Sequence, residues 1–306
     1  AVDIMLNSIT ASTLHQYQAP LKLWWNFSYE NNINVFNAET PAIIAFLTKR
    51  FKEGASYSTL NSTRSAISLI SSRDISGDVL ISRLFKGIFK QRPVRPKYAS
   101  IWDTTPVIKY LEKLHPLKQL KPKDAAEKTA TLLALATAHR LQTLALIKTN
   151  NIAVSNTGIT IKIPDLIKTS KVGSFQPEIN LPFFTEKPSL CTASVILEYL
   201  DYTKNIRTAS NTKLLISTVK PYSNVSAQTI GHWIKSLLGK ARIDTNQFSA
   251  YSTRHAAVSA AYQKGVDIDT IRHTASWSSQ SQMFARFYNK LIQSSSKNFT
   301  HAILEQ

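Results

Sequence analysis

Cysteine, glycine and acidic residues are all scarce in this 306-residue chain, and each shortage removes a class of explanation. The single cysteine, Cys191, leaves no partner for an internal disulfide and no set of thiolates for a metal site. It fits a reducing compartment and reads as core filler. No run of about 18 apolar residues occurs, so no stretch reads as a transmembrane helix. No charged-then-apolar leader opens the chain, and Ala1 in place of Met is expected of a processed or excised segment. The eight glycines form no phosphate-cradling loop, and the HExxH zinc motif is missing. Nothing in the composition asks for a metal or another cofactor. Internal repeats and low-complexity tracts are absent as well. The acids number only 19 against 37 Lys and Arg, a net charge of +18. So large an excess points to a polyanionic partner, nucleic acid first and an acidic membrane surface second. The excess runs through the chain: 12 basic and 6 acidic residues up to Lys97, then 25 and 13 after it.

What is present is apolar periodicity. Hydrophobic residues make up 43% of the chain, enough for two domains of ordinary size. Residues 1–96 read as four helices. Leu14, Tyr17, Leu21, Trp24, Trp25 and Phe27 follow helical spacing from Ser12. Thr40-Pro41 reads as a cap with proline at the first helical position, and Ser58 opens a third helix. Asp78 opens a fourth, VLISRLFKGIFKQ. From there Arg83, Lys86, Lys90, Arg92, Arg95 and Lys97 follow without a single acid. With Pro93 and Pro96 this stretch is expected to be an extended linker that tracks phosphates, against the plainer reading of a solvated helix face.

Residues 97–306 read as an α+β domain. An aromatic segment, Tyr98 to Trp102-Asp103, leads to a capped helix at Thr105-Pro106. A long apolar helical region, residues 125–147, is interrupted by His139-Arg140. Three strand-like stretches follow, 152–164, 166–175 and 177–182, with turns at 156–158 and 170–173. Helices then return over 193–205 and 227–242, with three more through Leu291.

Several residues in this second part are candidates for chemistry. Arg140 lies in an apolar helix, where a buried charge demands an anion; a structural salt bridge or a wet helix edge would also serve. Lys168, in Ile-Lys-Thr-Ser-Lys, is either a reaching ammonium or a surface lysine. Arg254 stands early in a helix of small residues. Trp277 and Tyr288, the latter in FARFY, would ordinarily be core. Their order, Arg, Lys, Tyr-Ser-Thr-Arg, Trp-Ser-Ser, Tyr, changes the weighing.

In that order the chain resembles the tyrosine recombinase (phage integrase) superfamily, and most of all the integrases of eukaryotic DIRS and Crypton mobile elements. TAHRLQTLALI looks like the first-arginine motif, LIKTSK like the hairpin lysine, STRHA like the second-arginine motif, and ASWSSQSQMFARFYNK like the segment ending in the nucleophile. The resemblance implies a mainly α protein: a four-helix, SAM-like core-binding bundle over 1–96 and a catalytic domain with a small antiparallel sheet over 97–306. It implies that Tyr288 attacks a DNA phosphorus to give a 3′-phosphotyrosyl link, with no cofactor. Arg140 and Arg254 would hold the non-bridging oxygens, Lys168 would protonate the leaving 5′-oxygen, and Trp277 would support the site. It further implies double-stranded DNA as partner, a tetramer on DNA built with segments beyond the nucleophile, and a nuclear location; Leu291–Gln306 is either such a docking segment or a frayed end.

Two positions depart from the family pattern. Tyr251 stands three residues before Arg254, where a histidine is usual, and a phenol ionising near about 10 is a poor general base at neutrality. It can still hydrogen-bond a phosphate or the nucleophile. His255 is one helical step, roughly 100°, away from Arg254 and is not expected to substitute. Thr143 takes the place of an acid three residues after the first arginine. These departures leave two functions open: an active recombinase, or a DNA-binding protein derived from one. A single-strand or RNA binder is a third reading, disfavoured because the aromatics sit at core spacing.

Overall fold

The computed structural model describes residue 4 and residues 7–94, 97–173 and 175–277. The chain divides into two compact units, Ala1–Arg95 and Pro96–Gln306. It is mainly helical with one small antiparallel sheet.

The first unit holds α1 (Ala11–Glu30), α2 (Thr40–Lys52), α3 (Tyr57–Ile70) and α4 (Val79–Gln91). α1 packs on α3, and α2 on both α3 and α4. Trp24, Phe46, Leu47, Leu60, Ile67, Ile81 and Phe85 meet in its core, and the indole of Trp24 donates to the carbonyl of Val35 at 3.2 Å. The α4 sequence shows why it docks as it does. Ile81, Phe85 and Ile88 are buried on one face, each worth about 1.5–3 kcal/mol of apolar burial. Asp78 caps the helix, its carboxylate accepting from the amides of Leu80 and Ile81 at 2.8 and 2.9 Å. Thr40, expected to cap α2, does not: Glu39 holds the cap position without a side-chain bond, and the Thr40 hydroxyl donates to Asp78 at 2.6 Å. That bond and the two amides hold the Asp78 carboxyl below its usual range.

The second unit is arranged around α6 (Pro122–Thr137), which packs on α8 (Thr192–Thr203), α9 (Ala227–Lys240) and α10 (Ser252–Gln263). Nearly the whole of α6 is buried. Its polar residues survive there because each hydroxyl is satisfied locally: Thr129, Thr131 and Thr137 donate to carbonyls four residues back at 2.7–2.8 Å. Buried Glu127 accepts from Lys240 at 2.7 Å, and Asp124 accepts from the same ammonium at 2.7 Å. α5 (Thr105–Lys113) begins where expected; Thr104 holds its cap position without a side-chain bond, and Asp103 just before it accepts from the Thr105 amide and hydroxyl, both at 2.9 Å.

The sheet has the order β1 (Ile152–Val154), β2 (Gly158–Lys162), β3 (Glu178–Pro182), antiparallel throughout. Ile161 sits opposite both Ile152 and Ile179, which sets the buried face. A Cβ on Gly158 would stand 2.3 Å from the Leu181 carbonyl, so only glycine fits this crossing. The expected middle strand over 166–175 is not formed among the described residues. β2 pairs directly with β3, and the connection between them turns at Lys168-Thr169 and again at Val172-Gly173, the second within the turn expected at 170–173.

Candidate active site

The site grows from a corner. The apolar run that the sequence presents as one long helical region stops at Thr137, because Ala138 takes a left-handed conformation (φ 49°, ψ 21°). A non-glycine residue there costs about 1–2 kcal/mol. Packing offsets it: Ala138 is buried against Val258, Ile271 and Ala275, with Trp277 alongside. Arg140 therefore does not lie mid-helix as expected. It holds the cap position of the four-residue α7 (Leu141–Leu144), half-buried, and no carboxylate among the described residues pairs with it.

His139, one residue earlier, reports what surrounds the corner. It is 5% exposed, and its pKa is pushed down to about 4, first by burial and then by the positive charges of Arg254 and Arg140. Two guanidiniums that are 114 positions apart in sequence thus act on one imidazole. Arg254, on the first turn of α10, is 3% exposed. One of its terminal nitrogens donates to the Ala275 carbonyl at 2.8 Å, and its guanidinium lies 5.1 Å from the centre of the Trp277 ring. Ala275 caps α11 (Ile268–Thr274), so α10, α11 and the residues after it fix this arginine together.

The start of α10 is pinned from the aromatic segment at 98–102. Trp102 donates its indole N–H to Ser252 Oγ at 2.8 Å, and that hydroxyl donates onward to the Ser249 carbonyl at 2.6 Å. The Tyr98 and Ser249 hydroxyls meet at 2.7 Å. Tyr251 holds the cap position of α10, 46% exposed, with its ring against His255.

Arg140, Arg254 and Trp277 are thus brought together, with Tyr251 one helical turn before Arg254. Lys168 is exposed in the β2–β3 connection, and no hydrogen bond or ion pair among the described residues joins it to the arginines. The connection itself is braced: Ser170 accepts from the Ile167 amide and donates to Gln176, both at 2.9 Å, and Lys148 pairs with Asp165 at 3.0 Å. Tyr288 and the segment after Leu291 lie outside the described residues, as does Arg95. Of the basic stretch, Arg83, Lys86 and Lys90 are exposed on α4, so this part is a helix face and not an extended linker. Their spacing of three and four places them together, opposite the buried Ile81, Phe85 and Ile88. Arg92 is engaged within its own unit, donating to the carbonyls of Ala55 (2.9 Å) and Phe51 (3.3 Å) and stacking 4.3 Å over the Phe51 ring. The Lys97 ammonium lies 5.4 Å from the centre of the Tyr98 ring.

Sequence reasoning missed His139 and Tyr98. The only signal for His139 was its place beside Arg140 in an apolar run; for Tyr98 there was none beyond aromaticity. Among the described residues no group of three or more His, Cys, Asp or Glu is placed to hold a metal ion. Nor is any helix among them long and apolar enough to cross a membrane.

Comparison with known proteins bears on this geometry. A search of curated protein sequences returned no match. Among solved structures, the XerH site-specific recombinase in a post-cleavage complex with palindromic difH substrate aligns with a TM-score of 0.60, 14% identity, 95% of this chain and 80% of that one. The Tn1549 transposon integrase in complex with circular intermediate DNA gives 0.55, 13%, 87% and 86%. A lambda integrase tetramer bound to a Holliday junction gives 0.52, 16%, 91% and 72%. At these identities the likeness establishes the fold. The profile of the phage integrase family matches residues 108–293, a span that includes Arg140, Lys168, Tyr251, Arg254, Trp277 and Tyr288, and the chain belongs to that family.

Proposed function

We propose that this protein cleaves and rejoins double-stranded DNA in site-specific recombination, through a 3′-phosphotyrosyl intermediate on Tyr288. The observation that carries the proposal is the convergence of Arg140 and Arg254 on His139, with Trp277 against Arg254. Two fixed guanidinium forks suit a phosphorus centre that gains negative charge in the transition state. They supply the positive charge that a metal brings in other phosphoryl-transfer sites. In the step proposed, the Tyr288 oxygen bonds to phosphorus as the bond to the 5′-oxygen breaks. The 5′-oxygen takes a proton from Lys168, the phenolic proton passes to water, and Lys168 regains its proton from water. The products are a phosphotyrosyl diester and a free 5′-hydroxyl, and the reverse reaction rejoins the strand.

The stripe of Arg83, Lys86 and Lys90, with Lys97, is assigned to duplex phosphates. The proposed assembly is a tetramer on DNA, by analogy with the lambda integrase complex. The proposed setting is a eukaryotic mobile element of the DIRS or Crypton type, and hence the nucleus. A second reading, a DNA-binding protein without turnover, is favoured by one pair of observations: Tyr251 in place of histidine, and Thr143, 3% exposed, in place of an acid. Relaxation of supercoiled plasmid in EDTA separates the two. Relaxation by the parent, abolished in Tyr288→Phe, supports the recombinase. Plasmid binding with no relaxation, in the parent and in Tyr251→His alike, supports the binder.

A further inference from the structure

Three rings stand in a row at the start of α10. Tyr98 meets His255 edge to face, with centroids 5.7 Å apart and planes at 72°. His255 meets Tyr251 in the same manner, at 5.3 Å and 71°. Burial falls along the row: Tyr98 is 4% exposed, His255 7% and Tyr251 46%. The buried end is tied down. The Tyr98 hydroxyl meets Ser249 Oγ at 2.7 Å and accepts from the Ser249 amide at 3.4 Å, and its ring lies 5.6 Å from that of Phe248. The outer end is a phenol one turn before Arg254.

Edge-to-face contact is directional, because the positive rim of one ring seeks the negative face of the next. A half-exposed tyrosine on a helix end would otherwise sample several rotamers. Here the contact with His255, four residues on and therefore on the same side of the helix, selects one of them. We infer that Tyr98 and His255 are positioning residues that aim the Tyr251 hydroxyl at the phosphate held by Arg140 and Arg254. A phenol hydroxyl both donates and accepts, so a well-aimed one fills the hydrogen-bonding role of the missing histidine without its basicity. His255 serves here as a ring, buried and in edge-to-face contact with both Tyr98 and Tyr251. The inference rests on the recombinase reading of the site.

Two measurements on the full chain test it. The first compares plasmid relaxation by the parent, Tyr251→Ala, His255→Ala, His255→Phe and the double alanine variant. A misaimed group is expected to slow relaxation about tenfold in His255→Ala, with plasmid affinity within about twofold of the parent. His255→Phe keeps the ring and is expected within about threefold of the parent, and the double variant no slower than Tyr251→Ala. A phenylalanine variant as slow as the alanine one, or full multiplication of the two effects, overturns the inference. The second measurement does not need turnover. In protein with 13C-labelled tyrosine, the Tyr251 ring signals, assigned by their loss in Tyr251→Phe, are expected to move in His255→Ala, and to respond to a short duplex in the parent more than in that variant. Signals indifferent to His255 or to duplex overturn the inference. If the parent leaves plasmid supercoiled, the recombinase reading fails on the first measurement while the second still judges the stack.

Discussion

Acid should loosen this protein through His139, and the size of the effect follows from the structure. The imidazole is 5% exposed, and burial with the charges of Arg254 and Arg140 takes its pKa from 6.5 to about 4. In the unfolded chain it titrates near its ordinary value. Between the two values the unfolded state binds a proton that the folded state does not, so stability is complete above about 6.5 and falls as pH drops towards about 4. Over the whole window the loss is about 3 kcal/mol, and from pH 7 to pH 5 about 2 kcal/mol. Below pH 4 this contribution stays flat. The sequence has seven histidines, so the effect must be isolated by difference. Denaturant unfolding of the parent and of His139→Gln, at pH 7 and pH 5, gives that difference for the transition of the second unit. The parent should lose about 2 kcal/mol more than the variant on acidification. The Hε1 resonance of His139, followed by NMR and assigned with the variant, should titrate near pH 4. Titration near 6.5 would refute the reasoning.

Three further outcomes are expected. Arg254→Lys should slow plasmid relaxation by about 100-fold or more while changing duplex affinity little, since an ammonium cannot reproduce the planar fork; near-parent relaxation would remove Arg254 from phosphate contact. Gly158→Ala should destabilise the second unit by about 2 kcal/mol in denaturant unfolding, because the added Cβ meets the Leu181 carbonyl at 2.3 Å. Reversing Arg83, Lys86 and Lys90 to glutamate should lower the slope of log affinity against log salt by about 2 to 3 for duplex DNA, as measured by fluorescence anisotropy. An unchanged slope would show that this face does not meet phosphates.

How far the sequence carried these conclusions depended on how local the cause was. α4 was legible because its cap, its buried stripe and its basic stripe all lie within fourteen consecutive residues. The cap of α2 was not, because Thr40 turns to Asp78, 38 positions on. The break at Ala138 carries no glycine or proline to announce it; it is imposed by Val258, Ile271 and Ala275 from another part of the chain. Residues 166–175 look strand-like, yet β1 and β3 already flank β2 and take both places beside it. His255 was set aside for facing away from Arg254, which overlooked that it stands four residues from Tyr251 and on its side of the helix. Arg140, Arg254 and Trp277 could be chosen from sequence only through their order along the chain. Their convergence is a property of the fold.

The two arginines also stand at helix ends. Arg140 follows the end of α6, where the last peptide carbonyls carry partial negative charge and welcome a cation, an effect of about 0.3–1 kcal/mol. Arg254 sits in the first turn of α10, where the peptide N–H groups already carry partial positive charge and a further cation is disfavoured by a similar amount. The Ala275 carbonyl, at the C-terminal end of α11, offsets that cost by accepting from the Arg254 guanidinium. Each arginine therefore draws on the carbonyl end of a helix, Arg140 on α6 and Arg254 on α11, so the backbone as well as the side chains makes this corner hospitable to positive charge.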